Sequence, residues 1–296
     1  MKIERGVALS RFTTLGTGGP ARAFARPESL DELREVLDWA REEGLAAFPI
    51  GLGSNLLAAD EGVEGLVLKL GGALAGVEVE GEILRAGGGA ANAVALHRAR
   101  AAELGGFEFA CAIPGTVGGG VRMNAGAYGG DWAGVLERAL VASAESVEWR
   151  TPAELGLRYR HSDLGAGEVV AATEFRLRPR PVEEVKATIA ELQAQRKAAQ
   201  PTNKRTFGSV FKNPAHELSA GRMLEACGLR GHRVGGAQIS PRHANFIENA
   251  DRARSADAIA LMAEARRRAR DQFGVVLEHE VQLLGDLRLP PPGELP

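Results

Sequence analysis

Cysteine and tyrosine are scarce in this chain, and so is any excess of charge. Only two cysteines, Cys111 and Cys227, occur among 296 residues. They lie far apart and form no CxxC or other ligand spacing, so neither a disulfide framework nor a zinc site is expected, and both read as buried small apolar side chains. Acidic residues (38) almost cancel basic ones (36), leaving a formal charge of -2. No global field therefore draws the chain onto nucleic acid or an anionic membrane, and an anionic ligand has to be met by local groups. No apolar run is long enough to span a bilayer: the uncharged stretch 109–121 is interrupted by Pro114, Gly115 and the run Gly118-Gly119-Gly120. The first five residues, Met1-Lys2-Ile3-Glu4-Arg5, have no apolar signal core, so a cytoplasmic protein is expected.

What is present is an ordinary globular composition, 45% hydrophobic and 25% charged, with chain enough for about two domains. Leu30, Leu33, Val36, Leu37 and Ala40 recur at helical spacing behind an N-capping Ser29 with Glu32 three residues on, and Gly44 closes the turn. A strand at 46–50 then leads into Gly51-Leu52-Gly53-Ser54-Asn55-Leu56-Leu57 and a second strand at 66–70. A dinucleotide fingerprint needs a third glycine and a following helix; both are missing, which disfavours a Rossmann unit. A hairpin with Gly81-Glu82 as its turn and an alanine-rich helix over 90–104 follow. The second glycine-dense passage, 112–128, lets backbone amides approach a ligand, and two such loops suggest one long phosphate-bearing ligand held in two places.

Strands are predicted over 136–148 and 168–177, and a helix over 182–199 ends at the polar stretch after Gln200, read as a domain boundary. Beyond it come a helix at 220–227, strands at 237–240 and 245–248, a helix over 255–274 and a closing strand over 275–285, with a frayed tail after Leu289. Arg266, Arg267, Arg268 and Arg270 sit near the end of the last helix, where its dipole favours cations, and read as a solvated face. Glu278 and Glu280 share one face of the closing strand; they mark either a wet edge or a carboxyl group held in a site. Ser209 is a turn serine or a presented hydroxyl, and Arg160 a surface arginine or an anion ligand. His243 has no second histidine at ligand spacing, so no metal is expected.

Taken in order, "GLGSNLL" (51–57), "IPGTVGGGVRMNAGAYGG" (113–130), "YRHS" (159–162), "GSVFKNP" (208–214), "GGAQISPRHANFIEN" (235–249) and "FGVVLEHEV" (273–281) closely resemble the UDP-N-acetylenolpyruvoylglucosamine reductase family. The resemblance is collinear over nearly the whole chain. It implies an α+β fold: a two-lobed FAD-binding module of the vanillyl-alcohol-oxidase type over 1–70 and 71–200, then a smaller α/β substrate domain over 201–296. It implies non-covalent FAD, held by Gly51, Gly53, Ser54, Asn55 and Leu56 from one loop and by Pro114, Gly115, Gly118, Gly119, Asn124 and Gly126 from the other. The family's catalytic arginine, serine and glutamate fall on Arg160, Ser209 and Glu280. Tyr159, Lys197, Lys212, Asn213 and His243 are the expected substrate contacts, the substrate being UDP-N-acetylglucosamine enolpyruvate and the hydride donor NADPH. A monomer with no nucleic-acid partner and no membrane insertion is expected.

On this reading hydride reaches C3 of the enolpyruvyl ether, Arg160 pairs with its carboxylate, a protonated Glu280 donates to the developing oxyanion, and Ser209 delivers a proton to C2. Two features depart from the family pattern. Phe207 stands where alanine is common, and the tyrosine-bearing insertion that covers substrate in longer members is absent, which implies the shorter subclass and a more open site. A flavin-dependent sugar or alcohol oxidase is the rival enzyme. Many such oxidases bind flavin covalently through histidine, and neither glycine loop contains one. A nucleotide-binding regulator that had lost its chemistry would have no reason to keep Arg160, Ser209 and Glu280 together.

Overall fold

The computed structural model describes residues 2–291; Met1 and the end of the proline-rich tail, from Pro292 on, lie outside them. Two compact units divide the chain. The first takes the N-terminal residues through Arg5, Ala23–Leu52 and Glu64–Arg196, and the second takes Gly6–Arg22, Gly53–Val63 and the chain from Lys197 on. This differs from a partition into consecutive segments: two stretches expected in the first lobe group with the C-terminal part.

In the first unit, α1 (Leu30–Glu42) starts where the Ser29 side chain accepts from the Glu32 amide, and its Leu33, Val36, Leu37 and Ala40 stripe is buried. That stripe packs with Ala23, Ala25, Leu66 and Leu68. A five-stranded antiparallel sheet runs in the order Val147–Arg150, Leu136–Ala142, Val169–Arg176, Ile83–Gly87, Val77–Glu80. The predicted Gly81-Glu82 turn joins its last two strands. Helices α2 (Asn92–Ala101), α3 (Val117–Arg122) and α4 (Val182–Ala199) contribute Leu96, Val121 and Ile189 to the same core. Within it Phe107, Phe109, Trp132 and Phe175 form an aromatic cluster with centroids 5.1–5.6 Å apart.

α3 forms inside the second glycine passage, where the composition reads as loop. Three successive glycines are poor helix formers, but Thr116 caps the helix through its hydroxyl on the Gly119 amide at 3.3 Å. Packing supplies the rest, since a Cβ at Gly120 would overlap the fully buried Trp132 indole.

The second unit holds an antiparallel sheet in the order Thr206–Ser209, Phe246–Asn249, Ala237–Ile239, Arg233–Val234, packed with α5 (Ala220–Ala226) and α6 (Ser255–Phe273). Phe207, the departure from the family pattern, is fully enclosed in this core. The Asp60 carboxylate caps α6 by accepting from the Ser255 amide (2.7 Å) and hydroxyl (2.8 Å), and Gly274, left-handed at φ +70°, ends it. The arginines near that end are not an open patch. Glu264 takes Arg267 and Arg268, Asp271 takes Arg270, and Arg266 donates to the Pro290 carbonyl.

The expected closing strand is shorter than its pattern. Only Gln282–Leu284 forms a ladder, parallel to Leu56–Ala58; upstream of it the chain makes an isolated bridge between His279 and Phe211. Both cysteines are free and half-buried rather than fully enclosed. Among the described residues no helix is long and apolar enough to cross a membrane.

Replacing Gly120 with alanine forces a methyl into the Trp132 ring and is expected to cost about 1–3 kcal/mol, as overpacking does. A lowered urea midpoint at unchanged slope is the expected result; an unchanged midpoint would show that the contact relaxes freely.

Candidate active site

The first glycine loop is divided between the units, Gly51 and Leu52 in one and Gly53 onward in the other. In the first unit the Gly51 carbonyl accepts from Lys69 Nζ at 2.8 Å, and a Cβ at Gly51 would lie 2.5 Å from Thr116 Oγ1. At Gly51 the first glycine loop therefore meets Thr116 of the second with no room for a Cβ. Burial, reinforced by the nearby Arg26, pushes the Lys69 ammonium below its ordinary value.

Beside this junction a cleft of about 420 Å³ opens in the first unit. Leu52, Leu96, Ile113, Pro114 and Ile189 give it apolar walls, His97, Arg100 and Arg196 give it cations, and no carboxylate lines it. This donor set suits a ligand with flat apolar rings and phosphates, which is the chemistry of FAD.

Arg160 lies in the same unit. It occupies the two-residue turn between Arg158 and His161 at φ +53°, and its Nη2 donates to the Gly126 carbonyl at 2.5 Å. Gly126 permits that approach, because a Cβ there would stand 3.1 Å from Arg160 Nη1. Tyr159, beneath the guanidinium at 4.9 Å, is exposed. Asn124, an expected cofactor contact, is 2% exposed and its amide is engaged within the protein.

In the second unit the remainder of the first glycine loop supports the serine segment. Gly53, at φ +67°, lies so close to Phe12 that a Cβ would overlap the Phe12 carbonyl. The Thr14 hydroxyl stands 3.1 Å from the Gly53 carbonyl and 2.6 Å from the Thr206 carbonyl, sharing its proton between them. A Cβ at Gly208, itself left-handed, would come within 3.3 Å of the Ser54 carbonyl. The Asn55 amide donates to the Glu280 carbonyl at 3.2 Å.

Ser209 and Glu280 are brought onto neighbouring segments, since the Glu280 amide donates to the Val210 carbonyl at 2.8 Å. Asn245, 4% exposed, clamps the next residue: its Oδ1 accepts from the Phe211 amide (3.0 Å) and its Nδ2 donates to the Phe211 carbonyl (2.8 Å). Among the described residues the Ser209 hydroxyl makes no hydrogen bond to protein, while the adjoining Val210 backbone is bonded to the Asn245 carbonyl and the Glu280 amide.

The expected substrate contacts are less alike. Lys212 Nζ pairs with Glu278 at 2.6 Å and is largely covered. Asn213 Oδ1 accepts from the Ala220 amide at the start of α5. Lys197 is exposed, and its carbonyl accepts from Arg242. The His243 ring packs edge-on against Phe246, and its Nδ1 accepts from the Asn245 amide at 3.2 Å. Asn245 and the side chain of Asn55 escaped the sequence reading as clamps, because an amide bonded to backbone has no spacing signature. Among the described residues no three His, Cys, Asp or Glu side chains gather as metal ligands do.

Comparison with known proteins identifies a flavoprotein: an FAD-dependent oxidoreductase of mixed α+β class. A family model described as "FAD binding domain" matches residues 21–149, and one described as "UDP-N-acetylenolpyruvoylglucosamine reductase, C-terminal domain" matches 200–284. The chain is 43% identical over 286 residues to UDP-N-acetylenolpyruvoylglucosamine reductase 2 of Symbiobacterium thermophilum, covering 96% of this chain and 92% of that one. It is 42% identical over 289 residues to the reductase of Myxococcus xanthus, covering 96% and 93%. The crystal structure of the Thermus caldophilus reductase superposes with a TM-score of 0.84 at 37% identity, over 96% of this chain and 99% of that one. The chain belongs to the UDP-N-acetylenolpyruvoylglucosamine reductase family.

Burial, with Arg230 nearby, pushes the His243 imidazole below its ordinary 6.5. Protonation at this site therefore favours the unfolded chain. The contribution to stability is whole above the unfolded value and is lost as pH falls below 6.5 through the folded value. His243→Gln is expected to flatten the fall in urea midpoint between about pH 7.5 and about pH 5. An unchanged slope would show that the ring titrates as it does in the unfolded chain.

Proposed function

We propose that this chain reduces the enolpyruvyl ether of UDP-N-acetylglucosamine enolpyruvate to UDP-N-acetylmuramate, with NADPH as hydride donor. The observation that carries the reading is the unspent Ser209 hydroxyl, held by a committed backbone next to the Glu280 segment. Family membership over almost the whole chain supports the reductase rather than the oxidase reading. The activity belongs to peptidoglycan precursor synthesis in the cytoplasm, and we take the protein to work as a monomer without nucleic acid.

FAD, when bound, supplies the hydride chemistry between NADPH and the enolpyruvyl carbon. Its proposed contacts are Gly51, Gly53, Ser54, Asn55 and Leu56 from the first loop and Pro114, Gly115, Gly118, Gly119 and Gly126 from the second. It is held without a covalent bond, in keeping with the absence of histidine from both loops.

Arg160 binds the substrate carboxylate and steadies the negative charge that grows on that arm as hydride arrives at C3. Glu280, protonated, donates a hydrogen bond to the same developing oxyanion. Ser209 then gives its proton to C2. A serine hydroxyl is a weak acid, so this transfer depends on a strongly basic carbon and on close placement, which the Asn245 clamp two residues away maintains. Lys212 and Asn213 face the substrate's phosphates and sugar, with Tyr159, His243 and Lys197 as further contacts. Lys212 reaches phosphate by exchanging its bond to Glu278 for a stronger anion.

Ser209→Ala separates the two halves of the reaction. Anaerobic bleaching of the flavin by NADPH is expected to proceed as in the unmodified protein, while reoxidation by the enolpyruvyl substrate slows about 10²–10⁴-fold, the usual range for loss of a general acid. Equal reoxidation rates would remove Ser209 from the proton transfer.

A further inference from the structure

Asn124 sits in the second glycine passage at φ +37°, a left-handed conformation that asparagine tolerates better than most residues, and it is 2% exposed. Its Oδ1 accepts from the Ala133 amide at 2.9 Å. Its Nδ2 donates to the Arg158 carbonyl at 3.2 Å and stands 3.5 Å from Asp131 Oδ2. Asp131 is the strand partner of Gly126 in the short hairpin Gly126–Ala127/Gly130–Asp131. One side chain thus touches both structures that fix Arg160: the turn that carries its backbone, entered at Arg158, and the hairpin whose Gly126 carbonyl holds its guanidinium.

The turn needs holding. Arg160 is itself left-handed, a conformation that costs a non-glycine residue free energy and persists only where its surroundings impose it. The second tether is Ser162, whose hydroxyl donates to the Arg122 carbonyl at 2.7 Å. With both ends of its amide engaged by the protein and its surface closed, the Asn124 side chain is turned to the fold.

We infer that Asn124 is a positioning residue for Arg160: it sets the place of the guanidinium that receives the substrate carboxylate and makes no contact with FAD through its side chain. The inference rests on the proposed role of Arg160.

Asn124→Gly keeps the backbone conformation and deletes the clamp. FAD affinity and NADPH bleaching are expected to stay within about twofold of the unmodified protein. Substrate-driven reoxidation is expected to slow, and the substrate Kd to rise, by about tenfold each, the effect of about 1.4 kcal/mol. In an Arg160→Lys background the same change is expected to alter reoxidation less than about twofold, because the geometry it protects is already lost. If the glycine variant does not fold, Asn124→Asp, which keeps the acceptor for Ala133, loses the donor shared by Arg158 and Asp131 and adds a carboxylate beside Asp131, is expected to show the same split between half-reactions. Loss of FAD affinity in step with activity, or effects of Asn124→Gly and Arg160→Lys that simply multiply, would overturn the inference. Unchanged reoxidation in Arg160→Lys alone would overturn the role of Arg160 itself, and the inference with it.

Discussion

Backbone packed against its neighbours without an intervening Cβ is the constraint on which this molecule depends. At Gly53 the chain passes so close to Phe12 that any side chain would overlap a carbonyl. That proximity lets the Thr14 hydroxyl serve the Gly53 and Thr206 carbonyls together. The loop expected to hold cofactor phosphates is therefore also a wall of the serine segment. Asn55 extends the same economy to Glu280. A change that loosened the loop would disturb the proposed cofactor contacts and the proposed proton donor at once, and glycine is required at position 53 for packing alone.

In each unit, polar side chains near the proposed reacting groups are engaged with the protein. Asn245 satisfies both backbone groups of Phe211, Asn124 ties the Arg160 turn to its hairpin, and Lys212 is paired with Glu278. Against that background the Ser209 hydroxyl stands out because it has no hydrogen-bond partner among the described residues. Bonded neighbours and one unspent donor are what a weak acid needs to act by placement rather than by acidity.

Much of this was legible in the sequence, for physical reasons that differ from element to element. The first helix announced itself by period and caps, the fourth by its polar stop after Gln200, the sixth by its span up to Gly274, and the 77–87 hairpin by its turn at Gly81. The helix Val117–Arg122 did not, because its stability comes from Trp132 and from a threonine cap rather than from the propensity of three glycines. The run 275–285 carried a strand pattern, yet only its last residues have a ladder partner. The grouping of Gly6–Arg22 and Gly53–Val63 with the C-terminal part is a long-range property that no local pattern encodes. At the site, collinear motifs pointed to Ser209, Arg160 and Glu280, whereas Asn245 and Asn55 act through side-chain bonds to backbone, which leave no spacing signature, and Asn124, expected from motif position as a cofactor contact, has its amide engaged within the protein.

The central claim is that Ser209 protonates C2 of an enolpyruvyl ether after hydride reaches C3. Its most direct test is a single anaerobic turnover in deuterated solvent: one equivalent of NADPH to bleach the flavin, one of UDP-N-acetylglucosamine enolpyruvate to restore it, and NMR of the product. The account predicts full recovery of the oxidised spectrum and UDP-N-acetylmuramate bearing a solvent deuteron at C2. Bleaching without recovery on addition of that substrate, or a product with no solvent deuteron at C2, would contradict it.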